Sequence, residues 1–242
     1  VSGSDWEVIL RTKLFLFAVF ACASLPAANI TWNFTGNGGT LGQSQTFTSG
    51  GVTATATAWG LTANSNTRFE AATLGQYSTG LGVCNADEGS RCDDPAHQVD
   101  NAGENDFILF LFSAAIDPLS LLIDPYNSWD RDVSYYTGNI ASGNLTGLRL
   151  SDLSALGFGA QQNNNGSVSS SARTVSLTSG YVNALLVAPS IPNSDGNTDR
   201  FKLTSLTGDY RTPPSNDVPE PATFALMGVA LAAAGLWRRK QQ

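Results

Sequence analysis

Between Cys84 and Asp106 the chain gathers the side chains best suited to chemistry: seven of the 17 acidic residues in 29–217, and the only histidine, His97. Asp100, Asn101, Glu104 and Asp106 place carboxylate and amide oxygens just ahead of an apolar run. A hard cation such as Ca2+ takes roughly six to eight oxygen ligands of these kinds. Those four residues are therefore the candidate calcium ligands, with Asp93 and Asp94 next to them in rank. Their spacing does not follow an EF-hand loop, and the same acids would serve as turn caps that keep a sheet edge soluble.

His97 followed by Asp100 has the residue types of a general base with an orienting carboxylate. No activated serine or cysteine nucleophile accompanies the pair, so a neutral histidine in a structural hydrogen bond is the favoured reading and no catalytic residue is assigned. Asp130-Arg131-Asp132 after Trp129 forms a second acidic pair. On a strand the two aspartates share a face and Arg131 points away, which suits a calcium or turn role as well as one half of a glycosidase pair. Trp32, Trp59, Tyr126, Trp129, Tyr135, Tyr136 and Tyr181 could stack on sugar rings only if several lined one exposed face; the core is the more usual place for them.

These groups need rigid elements to position them. Residues 30–35 and 52–58 alternate apolar and polar side chains, the pattern of half-buried strands. Residues 107–112, Phe-Ile-Leu-Phe-Leu-Phe, are apolar at every position and too few for a globular helix, which predicts a central strand covered on both faces. Further strands are expected over 119–123, 132–137, 173–177, 182–187 and 201–206, with turns at 36–39, 163–166 and 192–196. The one helical segment expected is 151–156, with Ser151 as its N-cap. Many short strands and hardly a helical period predict an all-β fold, a β-sandwich of jelly-roll type spanning residues 29–212.

Composition agrees. Charged residues are 14% of the chain, below the roughly 25% of an average soluble protein, while Gly, Ser, Thr and Asn are plentiful. Residues 29–217 hold 17 acids and 8 bases, a net charge of −9 that repels phosphate backbones and argues against nucleic-acid binding. Cys84 and Cys92, with seven residues between them, are expected to form a disulfide in an oxidising compartment; Cys22 lies in an N-terminal apolar run that export would remove.

Both ends read as addresses. Arg11 and Lys13 precede an apolar stretch and a small-residue end at Pro26-Ala27-Ala28, the plan of a secretory signal peptide over residues 1–28. Asp5 and Glu7 sit where such a peptide is basic, so residues 1–7 are read as a spurious extension and Val8 as the natural start. At the other end, Pro213 to Asp217 form a proline-stiffened linker. Val218-Pro219-Glu220-Pro221, an uncharged run over 222–237 and then Arg238-Arg239-Lys240 follow. As a helix that run is about 24 Å long, just enough to span a bilayer core with its cations reaching the headgroups.

This tail, residues 218–242, resembles the PEP-CTERM sorting tail of Gram-negative bacteria in all three parts and in order. The resemblance implies export, a membrane-held intermediate and handling by an exosortase, in organisms that make extracellular polysaccharide. More loosely, His97, Val99, Asp100, Asn101, Asp106, the 107–112 run and residues 129–134 resemble a stretch of other exported PEP-CTERM proteins, domains without a settled activity. The expectation is a non-enzymatic cell-surface or matrix protein with a structural or adhesive role beside exopolysaccharide. A calcium-dependent carbohydrate-binding module and a secreted glycan-active enzyme are the alternatives. The expected partners are the exosortase, the membrane before processing, and extracellular polysaccharide, with Ca2+ as the one candidate cofactor.

Overall fold

The computed structural model describes residues 28–88, 92, 97–211, 227, 228, 230 and 231. It is all-β, with fourteen strands among the described residues: β1 (Ala28–Asn33), β2 (Gly39–Thr40), β3 (Ser44–Ser49), β4 (Val52–Thr62), β5 (Arg68–Ala71), β6 (Thr73–Tyr77), β7 (Gly80–Cys84), β8 (Val99–Asp100), β9 (Asp106–Asp124), β10 (Val133–Gly138), β11 (Gln162–Asn164), β12 (Arg173–Ser176), β13 (Val182–Pro189) and β14 (Arg200–Tyr210).

The strand that orders the others is β9. Over 106–112 it runs between β4 and β13, pairing Ala56 with Phe110 on one side and Leu185 with Phe110 on the other. Over 117–124 it runs between β12 and β14, where Leu121 faces Val175 and Leu206. One section of the network is therefore β11-β10-β13-β9-β4-β3, with β5 on the far end of β4. The other is β12-β9-β14, continued by β1, β7 and β8 along β14 and then by β6 and β2. Residues 107–112 and 119–123 thus belong to one strand and not to the two read from the sequence. The residues between them, Ser-Ala-Ala-Ile-Asp-Pro, keep the chain extended while the ladder changes partners, with register shifts opposite both halves.

The burial of β9 follows this change. Side chains are buried in succession from Asp106 to Phe110, and from Ile116 onward the buried positions 116, 118, 121 and 123 are separated by partly buried ones. Ile108, Phe110 and Phe112 enter a cluster with Trp32, Phe34, Ala54, Ala56, Val187, Leu203 and Leu206, drawn from both sections. Phe107 and Leu109 point the other way, into a cluster with Trp59, Phe69, Tyr136, Leu153 and Phe158. The expectation of a strand covered on both faces is met, and the second cover is the 139–158 segment. Its helical turn, Leu153–Leu156, follows a 3-10 turn at Leu150–Asp152. Ser151 does not cap it; the Asp152 carboxylate instead reaches back over the 3-10 turn and accepts from the Arg149 N–H at 2.8 Å.

Three further expectations shift slightly. Asn163 and Asn164, read as a turn, lie in β11 against Ser134 and Val133. Strand β10 starts at Val133 and not at Asp132, whose N–H is taken by a side chain instead of a ladder. Ala28, read as the last signal residue, already pairs with Tyr210. The rest of the signal peptide, the linker and nearly all of the sorting tail lie outside the described residues. Among the described residues no helix is long and apolar enough to cross a membrane.

Phe110 is fully buried, with ring centroids 5.1 Å from Phe34 and 6.5 Å from Phe112. Phe110→Ala is expected to cost about 3–5 kcal/mol, a large part of a typical stability of roughly 5–15 kcal/mol. Denaturant unfolding of the exported protein checks this; a loss under about 1 kcal/mol would mean that the two sections do not share this core.

Candidate functional site

The acidic residues converge where β8, the starts of β9 and β14, and the entry to β10 meet. The Cys84–Cys92 disulfide, with Cα atoms 5.8 Å apart, ties the end of β7 to the segment that follows. Cys92 is held from both sides, its carbonyl accepting from the Tyr77 hydroxyl at 2.7 Å and its N–H donating to Thr40 Oγ1 at 3.1 Å. The turn after Cys84 is built by Asn85, whose Oδ1 accepts from the N–H groups of Asp87 and Glu88 at 3.0 and 3.3 Å.

Of the four predicted calcium ligands, the structure brings two together. Asp106 is fully buried, its Oδ1 accepting from Asn85 Nδ2 at 3.0 Å and its Oδ2 from the Asp100 N–H at 3.3 Å. Asp100 accepts from the Ala102 N–H at 2.9 Å and stands 3.8 Å from Arg200 Nε. Burial pushes both carboxyls up, Asp100 to about 6 and Asp106 well above the ordinary range, and the charge of Glu88 adds to each. Asn101 turns instead to Asp199, and Glu104 to the side chain of Asn66. Asp93 and Asp94 lie outside the described residues. His97 Nδ1 is 4.0 Å from Glu88 Oε1.

The residue that joins the two acidic stretches is Asp199, which the sequence reading passed over. Fully buried, it accepts from Asn101 Nδ2 at 2.9 Å, the Ser190 N–H at 3.2 Å and the Asp132 N–H at 3.0 Å. Its own N–H donates to Asn101 Oδ1 at 2.9 Å. Burial raises its carboxyl to about 7; the bond from Asp132 opposes this, and the charges of Asp132 and Asp130 reinforce it.

Beside it, Asp130, Asp132 and Asp195 each offer a carboxylate oxygen, all within 4.8 Å of one another. Asp130 and Asp132 are 3% and 4% exposed, and Asp195 comes from an exposed loop. Although residues 130–132 precede β10, Arg131 leaves this face: its Nε and Nη1 donate to the carbonyls of Ser167 and Ser171 at 2.8 and 2.7 Å. Asp132 accepts from the Gly166 N–H, and burial raises its carboxyl. The loop that brings in Asp195 is self-bonded, with Asn193 Oδ1 accepting from the Gly196 N–H and Asp195 Oδ1 from the Asn197 N–H, both at 3.0 Å. Gly196 has φ of +77°, a conformation that side chains resist. Three carboxylates at this range repel unless a cation or proton sits among them, and their oxygens are of the kind that a hard divalent cation takes. The sequence carried a signal for this loop, since oxygen-bearing side chains recur at 193, 195, 197 and 199 around Gly196.

The aromatic residues do not share one exposed face. Trp32, Trp59, Tyr135 and Tyr136 are buried, and Tyr126 is 43% exposed. Trp129 carries the Arg200 guanidinium 4.4 Å over its ring, and Tyr181 donates to Asp209 at 2.6 Å.

Compared with known proteins, residues 217–240 match the PEP-CTERM protein-sorting motif. No curated protein and no solved structure matches the chain. The matched segment contains Val218, Pro219, Glu220, Pro221, Arg238, Arg239 and Lys240, the parts from which the resemblance was drawn. The motif implies recognition by an exosortase, export, and a membrane-anchored intermediate before sorting to the surface.

The buried carboxyls set a pH dependence. Asp199 moves from 3.8 to about 7 on folding and Asp100 from 3.8 to about 6, so the folded state holds protons that the unfolded chain releases. In chelator, stability should fall as pH rises from about 4 to about 7. Thermal unfolding of the exported protein across that range tests the sign, and a melting temperature that rises instead would contradict it. A cation among Asp130, Asp132 and Asp195 would raise the melting temperature at pH 7, and Asp132→Asn would abolish that gain.

Proposed function

We propose that this chain is a cell-surface or matrix protein with a structural or adhesive role beside extracellular polysaccharide. In this reading it is exported by its signal peptide and folds as a stapled β-sandwich of jelly-roll type. The apolar run over 222–237 holds it at the membrane until the exosortase processes the tail. The sorting motif at 217–240 is the observation that carries the proposal. The shared apolar cluster beneath the two sections of the network supports the sandwich, and the Cys84–Cys92 bond suits an oxidising destination.

A structural role is favoured by how the acids are used. Asp100, Asp106 and Asp199 spend their oxygens on N–H groups that join β7, β8, β9, β13 and β14. Hydrolysis of a glycan would need two carboxyl groups separated by roughly 5 Å or more and open to a sugar, whereas Asp130 and Asp132 are close and buried. Calcium-dependent carbohydrate binding is the second reading, favoured by the convergence of Asp130, Asp132 and Asp195.

Replacing Pro219, Glu220 and Pro221 by alanine should leave the protein membrane-held and uncleaved in its host; unchanged processing would remove the exosortase from the proposal. On a glycan array with and without calcium, calcium-dependent signal would move the assignment to the second reading.

A further inference from the structure

Strand β3 is an edge that the fold leaves open. It pairs with β4 through six successive residues without a bulge, from Ser44↔Thr57 to Ser49↔Val52, and has no other ladder partner among the described residues. The two-residue connection, Gly50-Gly51, has φ of +54° and +79° at its two positions, the signature of a type I′ hairpin. Such a turn is closed by a hydrogen-bonded pair, so Ser49, Phe47 and Gln45 direct their N–H and C=O groups to β4. Those of Thr48, Thr46 and Ser44 then face outward, away from the sheet. The neighbouring bonds agree with this phase, since the Ala58 N–H turns back to the Gln43 carbonyl while the Thr53 N–H turns the other way, to Ser113 Oγ.

Natural edges are kept apart by charge, proline or brevity. Strand β5 has Arg68 and Glu70, β12 starts with Arg173, and β2 and β11 have two and three residues. Strand β3, Ser-Gln-Thr-Phe-Thr-Ser, has none of these guards, and its Ser44, Thr46 and Thr48 are exposed. Strand β1 is neutral too, and the hairpin turn packs against it so closely that a Cβ on Gly50 would collide with the Ile30 side chain. Charge selects the occupant. The chain carries a net charge of −7, yet residues 14–67 contain no charged side chain. A second copy, repelled over the acidic surface, meets no like charge here.

We propose that β3 pairs antiparallel with β3 of a second copy about a two-fold axis through Thr46. Thr46 then faces its own equivalent and Ser44 faces the partner copy's Thr48, in pairs that each exchange two backbone bonds. The contact is self-complementary, so it consumes the open edge and closes as a dimer without growing into a fibre.

Sedimentation of the protein purified from its host, in whichever C-terminal form accumulates, tests the contact. Mass spectrometry follows the tail separately, so a failure of sorting and a failure of pairing are read on different measurements. The wild type should dimerise with concentration. Thr46→Pro removes an outward N–H and leaves the β4 ladder whole, so it should weaken dimerisation by roughly ten- to a hundred-fold with unfolding unchanged. Thr46→Cys should cross-link two copies, the facing Cα atoms being about 5.5 Å apart and within disulfide reach. A wild type that stays monomeric, a Thr46→Pro protein that dimerises as before, or a folded Thr46→Cys protein that never cross-links would each overturn the proposal.

Discussion

A strand that is apolar on both faces can rest only between two covers, and residues 106–112 impose that condition on the whole chain. One cover is the opposing section, reached through Phe34, Leu203 and Leu206. The other is the 139–158 segment, which brings Leu145, Leu153 and Phe158 onto Phe107 and Leu109. Once this half of β9 is fixed, its continuation emerges in the other section, where buried residues at 116, 118, 121 and 123 are interspersed with partly buried ones. The change from continuous to interrupted burial along a single strand accompanies its passage from one section to the other.

Burying that strand carries a consequence at its first residue. Asp106 enters the core with Phe107 because the ladder to Gly60 begins there, and a buried carboxyl must find donors. Asn85 and the Asp100 N–H supply them. Asp199 meets the same demand beside it with donors from Asn101, Asp132 and Ser190. The acidic segment thus serves as internal wiring between strand ends. The Asp130, Asp132 and Asp195 group differs from it, because Asp195 opens that cluster to solvent.

Charge divides the molecule into unlike regions. The acids gather where β8, β9, β10 and β14 begin, and the hairpin of β3 and β4 carries only neutral side chains. Outward hydroxyls at Ser44, Thr46, Thr48, Thr53, Thr55 and Thr57 form cross-strand rungs on that hairpin, with Thr48 and Thr53 joined at 3.2 Å. The acidic body and the neutral hairpin are thus separate regions among the described residues.

The destination was legible in the sequence because a sorting tail is read as a linear string: Val218-Pro219-Glu220-Pro221, an apolar run and a basic end need no folded partner to be recognised. The all-β class was also legible, because alternation at 52–58 and the unbroken apolar run at 107–112 are local consequences of strand geometry. So was the Cys84–Cys92 pair, which needs only two cysteines at a short separation. Tertiary structure decided the rest. That 107–112 and 119–123 form one strand depends on partners roughly 45 to 90 residues away along the chain. That Asp195 joins Asp130 and Asp132, while Glu104 leaves Asp100 for Asn66, depends on where two loops land. A carboxylate's partners are set by which neighbours exclude water from it, and no local pattern of residues specifies that.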